Sequence, residues 1–257
     1  MAMKTAPPSI SAFFPAYNDG GTIGSLVVTT IKTLAEITDD YEVLVIENGS
    51  SDYTVEVLEE LAQQYPTHFR FLAHREALGY GGALQMGFKE CQKELIFYTD
   101  GDAQYDPHEI KLLLPAMRDD IDIVNGWKID RSDPLHRIII GRMYHHFVKF
   151  MFGFKLRDVD CDFRLIRRSV FETIDLESDS GTICLELVKK LQDAGFRFAE
   201  VPVHHYHRSY GQSQFINFPR LWRTGVQLID LWWRLAIRRE HMIRIRDRQK
   251  QLSDVRR

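Results

Sequence analysis

Five short runs rich in β-branched and aromatic residues, at 9–14, 42–47, 69–73, 95–99 and 121–125, recur through the first 125 residues. Amphipathic segments at about 22–36, 53–64, 82–91 and 107–117 lie between them, the last opened by Asp106 before Pro107 with Glu109 in its first turn. Repeated strand–helix alternation constrains the fold more than any other feature. It predicts an α/β domain with a mostly parallel sheet and helices on both faces. In such sheets the ligand crevice lies beyond the carboxyl ends of the strands, so the residues following each strand are the ones to inspect. The rest of the chain is less regular. Residues 126–134 read as a polar loop, 137–154 and 182–194 as helices, 158–166 and 196–203 as strands, 204–218 as a loop, and 219 onward as an amphipathic helix.

Four polar or glycine-rich clusters follow the first four strands: Pro15-Ala16-Tyr17-Asn18-Asp19, Glu47-Asn48-Gly49-Ser50-Ser51-Asp52, Gly79-Tyr80-Gly81-Gly82-Ala83 and Asp100-Gly101-Asp102-Ala103-Gln104. Any one alone is ordinary turn chemistry; four at one sheet edge point to a site. The sharpest is the last. An apolar strand delivers two carboxylates, two residues apart, into the crevice. Oxygen ligands of that kind suit a hard divalent cation, which neutralises a departing diphosphate. Asp102 and Gln104 are candidate metal ligands, and Asp100 reaches metal or nucleotide.

Two other enzyme classes fit less well. A dinucleotide-binding fingerprint belongs on the first strand–helix turn, whereas Gly79–Gly82 follows the third strand. A nucleotidyltransferase wants a basic, glycine-rich phosphate loop after the first strand, and Asn18-Asp19-Gly20-Gly21 has no base.

Charge is unevenly distributed. From Arg220 to the end there are eleven Lys/Arg and four Asp/Glu, leaving an acidic remainder in a chain of formal net charge −3. Such a body argues against nucleic acid as a partner. In residues 219–239 the polar Arg220, Arg223, Gln227, Asp230, Arg234 and Arg238 recur at helical spacing beside Trp222, Trp232 and Trp233. An interfacial membrane helix and a face packed on the domain or on a second subunit both satisfy this pattern. The three cysteines have neither metal-ligand spacing nor a disulfide framework, as expected of reduced thiols in the cytoplasm. The N-terminus lacks a secretory-signal pattern, and no stretch approaches the roughly 20 apolar residues that span a bilayer.

The segments FFPAYND, VIENGSSDYT, LGYGGALQMG, TDGDAQYDP, DVDCDFRLIRR and EVPVHHYHRSYGQSQF, in this order, resemble the family-2 glycosyltransferases of the GT-A fold, and most closely the dolichyl- and polyprenyl-phosphate sugar synthases. The resemblance covers roughly residues 9–215. It implies a GT-A-like catalytic domain over 1–218, followed by a basic helix and tail at 219–257. The implied reaction is inverting transfer of a sugar from a nucleotide-diphosphate donor to a polyprenyl phosphate at the inner membrane face, with Mg²⁺ or Mn²⁺. A saccharide hydroxyl as acceptor, or a non-catalytic nucleotide-sugar binder, are the alternatives.

The resemblance also implies residue roles. Pro15, Tyr17 and Asp19 surround the nucleotide, Glu47 faces base or ribose, Gly82 lies near the phosphates, and Asp100, Asp102 and Gln104 form the metal set. Glu47-Asn48 stands where many relatives have two aspartates. Lys128 stands where the polyprenyl-phosphate branch often has arginine, and Arg142 (with Arg137) falls in the segment its members use near the acceptor. Asp158 and Arg164 fit an Asp-x-x-x-x-Phe-Arg element. Arg208, Gly211 and Ser213 fit a phosphate-binding loop in which Gln214 replaces a usual lysine. For a hydroxyl acceptor, Asp158 or Asp162 is the candidate base; either could equally brace Arg164. His204, His205 and His207 raise a zinc site, but a strand-end loop is favoured because no carboxylate or cysteine completes the set nearby.

Overall fold

The computed structural model describes residues 7–129, 135–207 and 218–255, with backbone alone at 135–142 and 218–221. Its first half follows the expected alternation: β1 (Ile10–Ala16), α1 (Ile23–Ala35), β2 (Tyr41–Glu47), α2 (Thr54–Gln64), β3 (Phe69–Ala73), α3 (Gly79–Glu90) and β4 (Leu95–Tyr98). Then come the single turn α4 (Ile110–Leu113), β5 (Ile123–Ile129), α5 (Leu135–Phe152), β6 (Arg164–Arg167), α6 (Ile183–Asp193) and β7 (Phe198–His204). The chain continues through α7 (Phe218–Trp232) and α8 (His241–Val255).

One seven-stranded sheet runs in the order β3-β2-β1-β4-β6-β5-β7. Its pairs are parallel except where β6 lies antiparallel between β4 and β5. Every residue of β1 is buried, as a central strand covered on both faces requires. The period of two sorts its side chains: Ile10, Ala12, Phe14 and Ala16 join α1, α2 and α4 in one core, while Phe13 faces α3 and α6 in another. Helix α3 comes close enough that a Cβ on Gly87 would lie 2.2 Å from the Phe13 ring. A third cluster joins Val148 and Phe152 of α5, Leu185 and Val188 of α6, and Leu228 and Leu231 of α7, with Leu235 beyond it.

Four expectations change. Residues 126–129, read as a loop, continue β5, because β7 supplies a partner from Ile123↔Phe198 through Ile129↔His204. The strand expected at 158–166 shrinks to β6, since residues 158–163 wrap around the Arg164 side chain instead. The helix expected at 107–117 is two 3₁₀ turns flanking α4, the second containing Pro115, which cannot continue an α-helical ladder.

The C-terminal helix is two helices. Residues Trp233–Arg238 are π-helical, Arg239 takes a left-handed φ of 52°, and α8 turns back onto the body. Ile245 of α8 enters the second core, and the His241 ring meets Asp193 at 2.7 Å. Arg244 pairs with Glu177 and Arg248 with Asp175 at 2.6 Å. Much of the basic tail's charge is therefore answered within the chain.

Candidate active site

The four clusters do converge at the carboxyl edge of β1, β2, β3 and β4, held together by side-chain amides, hydroxyls and carboxylates that bond to neighbouring loops. Asn18 has a left-handed φ of 56°, a conformation that asparagine tolerates better than most residues. Its Oδ1 accepts the Ser51 amide at 2.8 Å, and its own amide donates to Ser50 Oγ at 2.9 Å. Asp19 Oδ2 accepts the Tyr17 amide at 3.0 Å, and the Tyr17 ring is exposed. Glu47 is buried, with its carboxylate accepting the Ser50 amide.

Asn48 explains the departure from paired acids. Its Oδ1 accepts the Leu78 amide at 2.7 Å while its Nδ2 donates to Gly79 O at 3.2 Å. An ionised aspartate could accept but not donate there.

The glycines of the third cluster serve packing. A Cβ on Gly79 would lie 2.4 Å from Asp179 O, and one on Gly81 2.1 Å from Ser178 O. The Gly81 amide donates to Asp179 O at 2.9 Å. At Gly82 a Cβ would come within 2.8 Å of Leu78 Cβ, so its glycine identity is accounted for without a phosphate.

In the fourth cluster Gly101 lets the turn close on β1: a Cβ would stand 2.7 Å from Pro15 O and 3.2 Å from Asp19 Oδ2. Thr22 Oγ1 donates to Gly101 O at 3.0 Å. Asp100 receives the Tyr80 hydroxyl at 2.7 Å. Burial, then the carboxylates of Asp162 and Asp102, push the Asp100 carboxyl well above the usual range. Asp102 is buried and accepts the Gln104 amide at 3.1 Å, with Ala103 between them at a left-handed φ of 54°. Gln104 joins this turn to the end of β7, donating from Nε2 to Tyr206 O at 3.0 Å and accepting the Tyr206 amide at 2.8 Å. Carboxylate and amide oxygens gathered in one turn are a donor set that fits a hard divalent cation.

Across the edge lies a second cluster, built on charge. The Arg164 side chain is 1% exposed. Its Nε donates to Asn125 Oδ1 at 2.6 Å, its Nη2 to Val159 O and its Nη1 to the Tyr98 hydroxyl, and Asp162 Oδ1 lies 3.7 Å from Nη1. Tyr98 donates onward to Asp162 at 3.2 Å. Lys128, carried by the extension of β5, has its amide on Asp158 Oδ2 at 3.1 Å, its Nζ 3.6 Å from the same oxygen, and its ammonium donating to Asp160 O. Burial opposes the Lys128 charge, but Cys161 and the three aspartates Asp158, Asp160 and Asp162 outweigh it and raise its pKa. Asp160 is pushed up to about 6, by burial first and in part offset by Lys128.

Of the two candidate bases, Asp162 is the one that pairs with Arg164, while Asp158 sits beside Lys128. His145 of α5 brings a ring nitrogen within 4.8 Å of Asp158 and Asp160 oxygens. His204 is fixed elsewhere, against Glu109, and His205 packs edge-on to Tyr105, so these histidines do not converge as a zinc set.

Arg208, Gly211, Ser213 and Gln214, with the side chains of Arg137 and Arg142, lie outside the described residues. Sequence reasoning missed Tyr80, Tyr98, Asp160 and His145. Tyr98 was within reach, since it closes the apolar strand that delivers Asp100 two residues later.

An α/β sheet of this order, with an acidic turn after the fourth strand and a basic–acidic cluster opposite, is a nucleotide-sugar transferase architecture. The chain belongs to glycosyl transferase family 2, whose model matches residues 11–175. It is 30% identical over 246 residues to Glycosyltransferase AglD of Haloferax volcanii, covering 92% of this chain and 39% of that protein. To undecaprenyl-phosphate 4-deoxy-4-formamido-L-arabinose transferase of Yersinia pestis it is 26% identical, covering 84% of this chain and 65% of that one. The chain thus spans less than two thirds of these curated relatives. The fold is shared with glucosyl-3-phosphoglycerate synthase of Mycobacterium tuberculosis, solved with Mn²⁺, uridine diphosphate and glucosyl-3-phosphoglycerate (TM-score 0.64, 17% identity, 88% of this chain and 79% of that one).

Proposed function

We propose that this chain transfers a sugar, with inversion, from a nucleotide-diphosphate donor to a polyprenyl phosphate at the inner face of the membrane. The observation that carries the reading is the Asp100–Asp102–Gln104 turn, drawn against Asp19 by Gly101 and facing the Lys128–Asp158 cluster. The lipid-phosphate acceptor is supported by the similarity to the undecaprenyl-phosphate 4-deoxy-4-formamido-L-arabinose transferase of Yersinia pestis.

On this reading Pro15, Tyr17, Asp19 and Glu47 hold base and ribose. Asp102, Gln104 and Asp100 hold Mg²⁺ or Mn²⁺, which when bound stabilises charge on the departing diphosphate. The acceptor's phosphate oxygen bonds to the anomeric carbon as the bond from that carbon to the donor's diphosphate breaks on the opposite face. A phosphate acceptor is already ionised near neutral pH, so no strong base is required. Lys128, Arg142, Arg208 and Ser213 supply positive charge and hydrogen bonds to the anionic partners. Asp158 positions Lys128.

The test pairs binding with turnover. Purified protein is screened by thermal shift against UDP, GDP and dTDP, with and without Mn²⁺ or Mg²⁺, and then assayed for transfer to a short-chain, water-soluble polyprenyl phosphate. A hundredfold excess of ligand over its Kd stabilises by roughly 2.7 kcal/mol. Asp102→Asn is expected to keep the fold and to lose transfer by roughly a thousandfold, the several kcal/mol of charge stabilisation a cation supplies. Full activity of that variant in chelator would overturn the assignment.

A further inference from the structure

Helices α5 and α7 each turn two apolar faces outward from their axes, and only one of each is used internally. On α5, Val148 and Phe152 enter the third cluster, while Met143, Phe147 and Phe150 are exposed, Phe150 to 88%. On α7, Leu228 and Leu231 are buried, with Leu235 just beyond. The stripe Trp222, Val226, Ile229, Trp233 and Ile237, at intervals of three and four residues, faces solvent, Trp222 to 70%. The two helices are adjacent: Trp232 Nε1 donates to Met151 O at 2.8 Å. Trp232, half-buried, is therefore a packing residue, one of the two readings its sequence position allowed. Exposed aromatic and aliphatic side chains at this density mark an interaction surface.

Charge selects the occupant. Helix α5 contains no Asp or Glu but has Arg137, Arg142 and Lys149, and residues 218–239 carry five arginines and one aspartate. Asp230 pairs with Arg234 at 2.9 Å, Arg234 also meets Glu177 at 3.2 Å and Arg238 meets Glu240 at 3.0 Å, while Arg223 and Arg239 are exposed. The remainder of the chain has an excess of acidic over basic residues. A face that is apolar, aromatic and basic complements an anionic leaflet, where arginines meet headgroups and tryptophans sit at the boundary. A two-fold contact between copies would instead set like charges against like. No helix among the described residues is long and apolar enough to cross a membrane.

We infer that α5 and α7 together form a docking surface for an anionic lipid leaflet, with α5 contributing as much as α7. This deepens the lipid-phosphate reading, because α5 also carries His145 beside Asp158 and Asp160, so the helix that meets lipid also reaches the acidic cluster.

The experiment needs no substrate. The full chain is floated with vesicles of equal parts phosphatidylcholine and phosphatidylglycerol, and with phosphatidylcholine alone, at low and high salt, beside light scattering in solution. Binding is expected only to the anionic vesicles, weakening as salt screens it. The pair Phe147→Ser/Phe150→Ser and the pair Trp222→Ser/Ile229→Ser are each expected to lower the bound fraction about tenfold or more. All of these side chains are exposed, and retained thermal stability confirms folding. An α5 pair that binds like the parent overturns the inference, as does a parent that ignores anionic vesicles. A parent whose solution mass falls on mutation while vesicle binding stays constant assigns the face to a second copy and also overturns it. Failure of the acceptor reading shows separately, as absent transfer to the water-soluble acceptor.

Discussion

The two sides of the crevice are fastened by different chemistry. The side formed by the ends of β1 to β4 is latched by hydrogen bonds to neutral partners, made by Asn18, Asn48 and Thr22 and by the carboxylates of Asp19, Glu47 and Asp100, together with glycines that allow backbone to approach backbone. The side formed by β5 and β6 is held by buried ions, Arg164 and Lys128, and ions likewise fasten α8 to the body, where Asp193 meets His241. Neutral latches tolerate a change of ligand charge nearby, whereas an ion pair out of water depends on both members remaining charged. On the proposed function, the first is the donor side, admitting a diphosphate and cation, and the second is the acceptor side, its positive charge fixed in advance.

The largest effect should follow from breaking the charged side at its centre. Arg164→Met removes a cation that meets Asn125, Tyr98, Val159 O and Asp162. Leaving those groups without it is expected to cost about 3–5 kcal/mol, read as a lower urea midpoint. A loss below about 1 kcal/mol would mean the network is not what holds residues 158–163.

The neutral side gives a smaller response. Asn48→Asp keeps an acceptor for the Leu78 amide but loses the donor to Gly79 O. One lost hydrogen bond predicts about 1 kcal/mol, together with faster hydrogen exchange at residues 78–82. If the variant matches the parent in both, the latch is incidental and the asparagine stands there for another reason.

The smallest effect separates the ion-paired α8 contact from the β1–β4 loops by pH. Burial opposes ionisation of Asp193, but hydrogen bonds and charge from His241 and Lys189 outweigh it and hold its carboxyl below the usual range. Glu177 is likewise lowered: burial opposes its charge, and Lys190, Arg244 and Arg234 prevail. A carboxyl whose folded pKa is depressed contributes stability above its unfolded value, about 4. That contribution is lost as pH falls through the lowered folded value. Acidification below about pH 4 should therefore loosen α8 before the β1–β4 loops. Hydrogen exchange resolved by segment reads this directly, and simultaneous loosening would remove the distinction.

Much of the donor side was legible beforehand because it is local. A strand ends where its apolar alternation ends, so Asp19, Glu47, Gly79 and Asp100 could be placed at one edge without knowing what packs beside them. The roles within that edge were less legible. Gly79 and Gly81 are the types a phosphate loop would use, yet the approach of Ser178 and Asp179, a hundred residues away in sequence, requires them equally.

On the acceptor side, sequence placed Lys128 in a polar loop, because Gly126, Lys128 and Asp130 carry no strand signal of their own. β7 supplies the missing hydrogen bonds and makes the segment a strand. The basic tail looked like free charge until Glu177 and Asp175 were found beneath it. Sequence by itself determined the alternation, the sheet edge and the acidic turn, since these depend on periodicity and residue type within a few positions. Only the tertiary structure decided which charges are paired, which glycines serve packing and which apolar faces remain uncovered. Each of those depends on a partner that the chain brings from far along its length.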